Sequence, residues 1–182
     1  MSDNKLVQII YCQSLWEFFD ADERRLSGFK LSAVIWENLC PNRKMPKYIL
    51  IDHTADIGID VFGTTLEELF TNAAFALFDI IADLSKVECK AEYPVKISGI
   101  DREQLLVIWL SELLYLHDVK YLLFKDFHIT DMKENQLTAS VCGEVFNDDK
   151  HVIKTEIKAV TYHGLSIVRE NHQWKARVIF DL

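Results

Sequence analysis

The chain has 182 residues, of which 49% are hydrophobic and 12% aromatic, enough to bury a substantial core as one domain or as one domain with an appendage. That composition excludes disorder throughout. A net charge of −8 disfavours autonomous binding to a phosphate backbone and leaves a cation or a basic protein surface as the charge-compatible partner. Residues 1–44 hold six Lys/Arg and six Asp/Glu, so the whole acidic excess falls in 45–182. No apolar run reaches the roughly 20 residues that span a bilayer, and the most apolar helical stretch, 105–116, is broken by Ser111 and Glu112, so no membrane association is expected. The N-terminus does not read as a secretory signal: Asp3 precedes Lys5, and the apolar stretch from Leu6 is interrupted by Gln8, Gln13 and Glu17. Cys12, Cys40, Cys89 and Cys142 lie far apart and form no C-x-x-C pair, which suggests neither a zinc knuckle nor a disulfide framework and fits a reducing cytoplasm.

In chain order, residues 1–44 carry an amphipathic stretch from Leu6 to Phe19 and an apolar patch from Phe29 to Leu39, closed by a Pro41-Asn42-Arg43-Lys44 breaker. They read as an N-terminal extension of unassigned role, or as residues ahead of an alternative start at Met45; 45–182 is the main domain. Tyr48–His53 and Ile57–Gly63 read as strands. In the second, Ile57, Ile59 and Val61 share one face while Asp56, Gly58, Asp60 and Phe62 take the other. A helix is expected from about Thr65 to Asp83, with capping-box spacing at Thr64/Glu67 or Thr65/Glu68, and a second from Asp101 to about His117 with Gln104 in the matching position. Between them Tyr93–Ser98 reads as a strand. The remainder reads as strands at 121–131, 136–146, 152–162, 164–170 and 174–181, with a turn at His163-Gly164. Two helices against antiparallel-rich sheets make an α+β domain. No internal repeat is visible to inspection.

Chemistry concentrates in the nine residues Asp52-His53-Thr54-Ala55-Asp56-Ile57-Gly58-Ile59-Asp60, with three carboxylates, an imidazole and a hydroxyl. At the other end, Asp181 alternates away from Trp174, Ala176, Val178 and Phe180 and sits beside the α-carboxylate of Leu182. Anions this close repel unless a cation compensates. A third carboxylate such as Asp56 would make an oxygen-rich site for Ca²⁺ or Mg²⁺; the plainer alternative is a solvated chain end. If 152–162 is a strand, Glu156, Lys158, Val160 and Tyr162 share a face, as a surface ion pair or as a cation that orients Asp56 or Asp181 toward a partner. His53 reads as an architectural histidine ahead of a catalytic one, since Asp52 beside it points to the opposite strand face. No phosphate loop, H-E-x-x-H, G-x-S-x-G or recognisable cysteine nucleophile is present.

Four motifs in register make the chain recognisable: His53-Thr54-Ala55-Asp56-Ile57-Gly58-Ile59; the helix with Leu66-Glu67-Glu68-Leu69-Phe70 and Ala73-Ala74; Glu156-Ile157-Lys158-Ala159-Val160-Thr161-Tyr162-His163; and Val178-Ile179-Phe180-Asp181-Leu182. Over about residues 46–182 the sequence resembles the archease family. That resemblance implies strand-helix-strand-strand modules and an accessory protein, not an enzyme, that promotes guanylylation and multiple turnover of an RtcB-type RNA ligase in tRNA splicing and RNA repair. It implies a divalent-cation site at Asp56, Asp181 and the main chain of Leu182, Ca²⁺ first with Mg²⁺ or Mn²⁺ as alternatives, and a role in activation for Lys158. His53 and Glu156 carry over as outer supports. Residues 1–44 have no counterpart in the short family members, and Leu182 stands where isoleucine is frequent. Two readings outside that class are a stand-alone metal-dependent hydrolase with His53 as acid/base and a metal-free regulatory binding module.

Overall fold

A computed structural model describes residues 46–52, 56–170 and 172–182. The N-terminal extension and His53 lie outside these. The described chain runs β1 (Tyr48–Asp52), β2 (Ile57–Gly63), α1 (Leu66–Ile81), a 3-10 turn (Leu84–Lys86), β3 (Ala91–Ser98), α2 (Arg102–Lys120), β4 (Leu122–Met132), β5 (Gln136–Val145), β6 (Ala159–Glu170) and β7 (Gln173–Asp181). The strands form two antiparallel sheets, in the orders β1-β2-β7-β6 and β3-β5-β4. This is the α+β architecture expected.

The two sheets are built the same way. In β3-α2-β4-β5 the strand before the helix pairs with the second strand of the following hairpin. In β2-α1-β6-β7 the same pairing occurs, and the first unit is inserted between α1 and β6 of the second. The likeness reaches the strand-to-helix turns, Gly63-Thr64-Thr65-Leu66-Glu67-Glu68-Leu69 and Gly99-Ile100-Asp101-Arg102-Glu103-Gln104-Leu105. Thr65 caps α1 by accepting the Glu68 N–H, and Asp101 caps α2 by accepting the Gln104 N–H. Glu68 reaches back to the Thr64 N–H (2.7 Å) and Gln104 to the Ile100 N–H (2.9 Å). A Cβ on Gly63 would lie 2.5 Å from the Leu69 nitrogen, so that turn admits no side chain without backbone movement, while one on Gly99 would lie 3.0 Å from the Leu105 nitrogen, a tight contact of the same kind. An internal repeat therefore exists in this short pattern, although none was legible from end to end.

The helices contact both sheets and share one core with them: α1 presses on β2 and β4, α2 on β6 and β3. Leu69, Phe70, Ala73, Leu77 and Phe78 of α1 and Leu105, Leu106, Trp109, Leu110 and Leu113 of α2 are wholly enclosed. Trp109 Nε1 donates to the Phe70 carbonyl (3.1 Å), tying the helices by a satisfied polar contact.

Three expectations need correction. Residues 152–158 are not a strand; Ile153 makes one isolated bridge to Ala82, and Val152 and Ile153 are exposed despite being β-branched. His163-Gly164 does not end a strand but lies inside β6, where the ladder to β7 shifts register between Thr161 and Ser166 and Gly164 takes φ +62°. Finally, Cys89 and Cys142 form a disulfide across a separation of 53 residues, where the spacing had suggested none.

Beside that disulfide lies a buried acid. Glu144, 5% exposed, accepts from Lys90 Nζ (2.6 Å), Lys150 Nζ (2.6 Å), the Glu88 backbone N–H (2.7 Å) and His151 Nε2 (3.1 Å). The Asn147 N–H donates to His151 Nδ1 (2.9 Å), so the imidazole proton sits on Nε2 and points at the carboxylate. Burial pushes the Glu144 carboxyl up, but the two ammonium groups and the other donors outweigh it and hold its pKa well below the usual glutamate range.

Two predictions follow from this framework. Gly63→Ala should cost more than about 2 kcal/mol, because backbone must move, whereas Thr65→Ala should cost about 1 kcal/mol, in urea unfolding; equal costs would refute the close-approach argument. A carboxyl with a depressed folded pKa contributes stability that is present above the unfolded pKa of about 4.3 and lost as pH falls toward the folded value. Stability measured from pH 7 to pH 3 should fall along that limb in wild type, and Glu144→Gln should be less stable at pH 7 but lose less on acidification.

Candidate functional site

The site is set by strand register. Ile57 lies opposite Phe180, so one step outward Asp56, in the bend before β2, faces Asp181 at the end of β7. Facing residues of an antiparallel pair project on the same side, with Cβ atoms about 5 Å apart. Asp56 thus continues the row Asp60-Gly58, and Asp181 the row Arg177-Ile179. Ala159 lies opposite Asp181, which brings Lys158 alongside Leu182. The Lys158 backbone N–H donates to the Asp181 carbonyl (2.9 Å), and its Nζ to the main-chain oxygen of Leu182 (2.7 Å). Four of the residues singled out in the sequence, Asp56, Lys158, Asp181 and Leu182, therefore lie along one end of the four-stranded sheet, around the ends of its central strands β2 and β7. Asp181, Leu182 and Lys158 are exposed, and Asp56 is half-buried.

Two steps along the same face the electrostatics are opposite. Asp60, 3% exposed, receives Arg177 in two parallel hydrogen bonds (2.8 and 2.9 Å), and Lys175 lies 2.7 Å away. Burial raises its pKa, but the hydrogen bonds and charges of Arg177 and Lys175 lower it further, so the net shift is downward. The sequence placed Asp60 on the Asp56 face but did not pair it with Arg177 or Lys175; the period-2 alternation of β7, which puts both on the Asp181 face, was the available signal.

The donor set at this sheet end consists of oxygens: two carboxylates and the main-chain oxygen of Leu182, which suits a hard divalent cation that completes its shell with water. Among the described residues no basic side chain pairs with Asp56 or Asp181. Nor do three or more His, Cys, Asp or Glu side chains gather into a metal-binding group among them. Lys158 holds one of the oxygens, so a cation would share the Leu182 main chain with an ammonium. The residues fit a loosely held, partly hydrated ion better than an enclosed one.

Glu156 does not join this group by the route the sequence suggested. It is exposed in the irregular segment before β6, so the shared strand face with Lys158 does not exist. Lys154, in the same segment, is bound to α1 through the Asp79 carbonyl (2.8 Å) and carboxylate (3.3 Å). No helix among the described residues is long and apolar enough to cross a membrane.

Residues 48–182 match the model of the Archease protein family (MTH1598/TM1083). Protein archease of Pyrococcus furiosus is 44% identical over 135 residues, 72% of this chain and 95% of that protein. Protein archease of Methanosarcina mazei is 41% identical over 140 residues, 75% of this chain and 96% of that protein. Among solved structures, that of protein 1598 of Methanobacterium thermoautotrophicum has a TM-score of 0.66 at 41% identity, covering 76% of this chain and 100% of that one. An archease of Thermotoga maritima, described as a possible chaperone, shares the fold with a TM-score of 0.52 at 23% identity, covering 78% of this chain and 98% of that one. Strand-helix-strand-strand nesting and the match over nearly all the described residues agree: this chain belongs to the archease family.

Proposed function

We propose that this protein is a non-enzymatic activator of an RtcB-type RNA ligase, acting in the cytoplasm in tRNA splicing and RNA repair, and that it works by presenting a divalent cation held at Asp56, Asp181 and the main chain of Leu182. The observation that carries the reading is the β2–β7 register, which, carried one step past Ile57–Phe180, sets Asp56 across from Asp181 at the end of the β1-β2-β7-β6 sheet. Like charges directly opposite on a sheet are unfavourable, and a cation between them converts that cost into binding. Family membership is consistent with a protein partner, and the acidic character of 45–182 favours a protein surface over RNA.

The chemistry follows from the residues. The carboxylates hold and orient the ion, which supplies charge and open coordination positions at the ligase surface during guanylylation of the ligase histidine. Exposure of Asp181 and Leu182 leaves that side of the ion reachable by a partner. Lys158 anchors the Leu182 main chain beside Asp181 and is itself exposed, so it positions the chain end and presents its charge to the ligase. Oxygen donors suit Ca²⁺ first, with Mg²⁺ and Mn²⁺ compatible.

Terbium or calcium titration should show cation affinity lowered at least about tenfold in Asp56→Ala and in Asp181→Ala, with stimulation of ligase guanylylation lost in both. Undiminished stimulation by both variants would end the proposal. Lys158→Ala should keep or raise cation affinity, because an ammonium leaves the neighbourhood, yet stimulate the ligase less; a parallel loss of both would make Lys158 a support of the ion instead. Chelation followed by return of Ca²⁺, Mg²⁺ or Mn²⁺ singly should restore stimulation and rank the ions. Phosphoester turnover by the purified protein without ligase would favour a hydrolase.

A further inference from the structure

The disulfide and the Glu144 cluster lie on the other sheet and have no part in the proposed cation site. Cys89 is exposed, in the segment between the 3-10 turn and β3, while Cys142 is 7% exposed on the central strand β5. The bond is therefore open to attack from one side, at the Cys89 sulfur. The two ends stay together without it. Ala91 pairs with Gly143 and Glu92 with Cys142 in the β3-β5 ladder, and the Lys90 N–H donates to the Gly143 carbonyl (3.1 Å). The Cα atoms, 5.1 Å apart, are thus held within bridging range by the sheet itself. Such a bond can open and reclose in the folded protein.

What opening would change is also defined. Cys89 lies between two donors to Glu144: the Glu88 N–H on one side and Lys90 on the other. The remaining donors, Lys150 and His151, come from the turn after β5, whose Asp149, Lys150 and His151 amides all bond to Asn147. Glu144 is buried and needs its donors, so loosening of Glu88 and Cys89, which precede the Lys90–Gly143 bond, is felt at 147–151 through one carboxylate. That turn opens the connection that continues to Lys158.

We propose that Cys89–Cys142 is a reversible thiol–disulfide exchange site for a dithiol reductant, and that its state sets the order of the 147–151 turn through Glu144. A thiolate of the dithiol attacks the Cys89 sulfur, the Cys89–Cys142 bond breaks, and the Cys142 thiolate leaves and takes a proton. The second thiol of the reductant then resolves the mixed disulfide, releasing Cys89 as a thiol and leaving the reductant as a disulfide.

The test uses the full chain in its native state. Dithiothreitol followed by alkylation and peptide mapping should label both Cys89 and Cys142 without denaturant, mapping keeping Cys12 and Cys40 separate, and oxidised dithiothreitol or glutathione disulfide should reclose the pair. Hydrogen exchange at Asp149, Lys150 and His151 should quicken about tenfold on opening, the change that about 1.4 kcal/mol of local stability gives. In Glu144→Gln the same amides should exchange fast in both redox states. A pair that resists reduction until the protein unfolds overturns the exchange site, and protection at 147–151 that is unchanged in opened wild type overturns the coupling. Both readouts come from wild type, so neither depends on a cysteine variant folding.

Discussion

The register between β2 and β7 is the constraint on which the molecule turns. It joins residues 117 apart in sequence at Asp60 and Arg177, seats Ile59, Val61, Ala176, Val178 and Phe180 against the helices, and sets Asp56 against Asp181. A slip of one residue would send the apolar row to solvent and bury the charged one. The Asp60–Arg177 pair resists a slip on the outer face, since a shifted Asp60 would be a buried carboxylate without its guanidinium. Fold and candidate site thus share one determinant.

The protein treats its buried and facing carboxylates in two ways. Asp60 and Glu144 are enclosed and saturated with cationic donors from their own chain. Asp56 and Asp181 lie across from one another at the end of the β1-β2-β7-β6 sheet, where the ammonium of Lys158 binds the Leu182 main chain instead. Acids of the first kind organise structure. Among the described residues no basic side chain pairs with Asp56 or Asp181, and that contrast is what the proposed cation site rests on.

Much of this was legible in residues alone, for definable reasons. Both helix starts were readable because capping is local: Thr65/Glu68 and Asp101/Gln104 announce themselves within four positions. Strands with strict alternation, such as β2 and β7, were readable with their faces. Residues 152–158 were misread because Val152 and Ile153 carry β-propensity but find no neighbouring strand, and propensity without pairing does not make a sheet. Gly164 was taken for a turn because a left-handed glycine serves equally in a bulge. Cys89–Cys142 and Asp60–Arg177 are tertiary pairings, and separations of 53 and 117 residues leave no local trace. The grouping of Asp56 with Asp181 was read from the carboxylates gathered at the chain end as one alternative and from family resemblance, and the β2–β7 register is compatible with it.

The nesting of one strand-helix-strand-strand unit within another has a consequence for how the chain reaches this state. The inserted unit, 91–145, closes through a tight β4–β5 hairpin and one helix crossover, so its contacts are short in sequence. The enclosing unit must bring β2 to β7 across everything between them, at a larger cost in chain entropy and a slower search. Once the inserted unit has folded, that loop is effectively shortened by its whole length, because a compact body replaces a floppy tether. A chain that folds in this order brings the sheet end carrying Asp56, Asp181 and Lys158 together late, after the inserted unit.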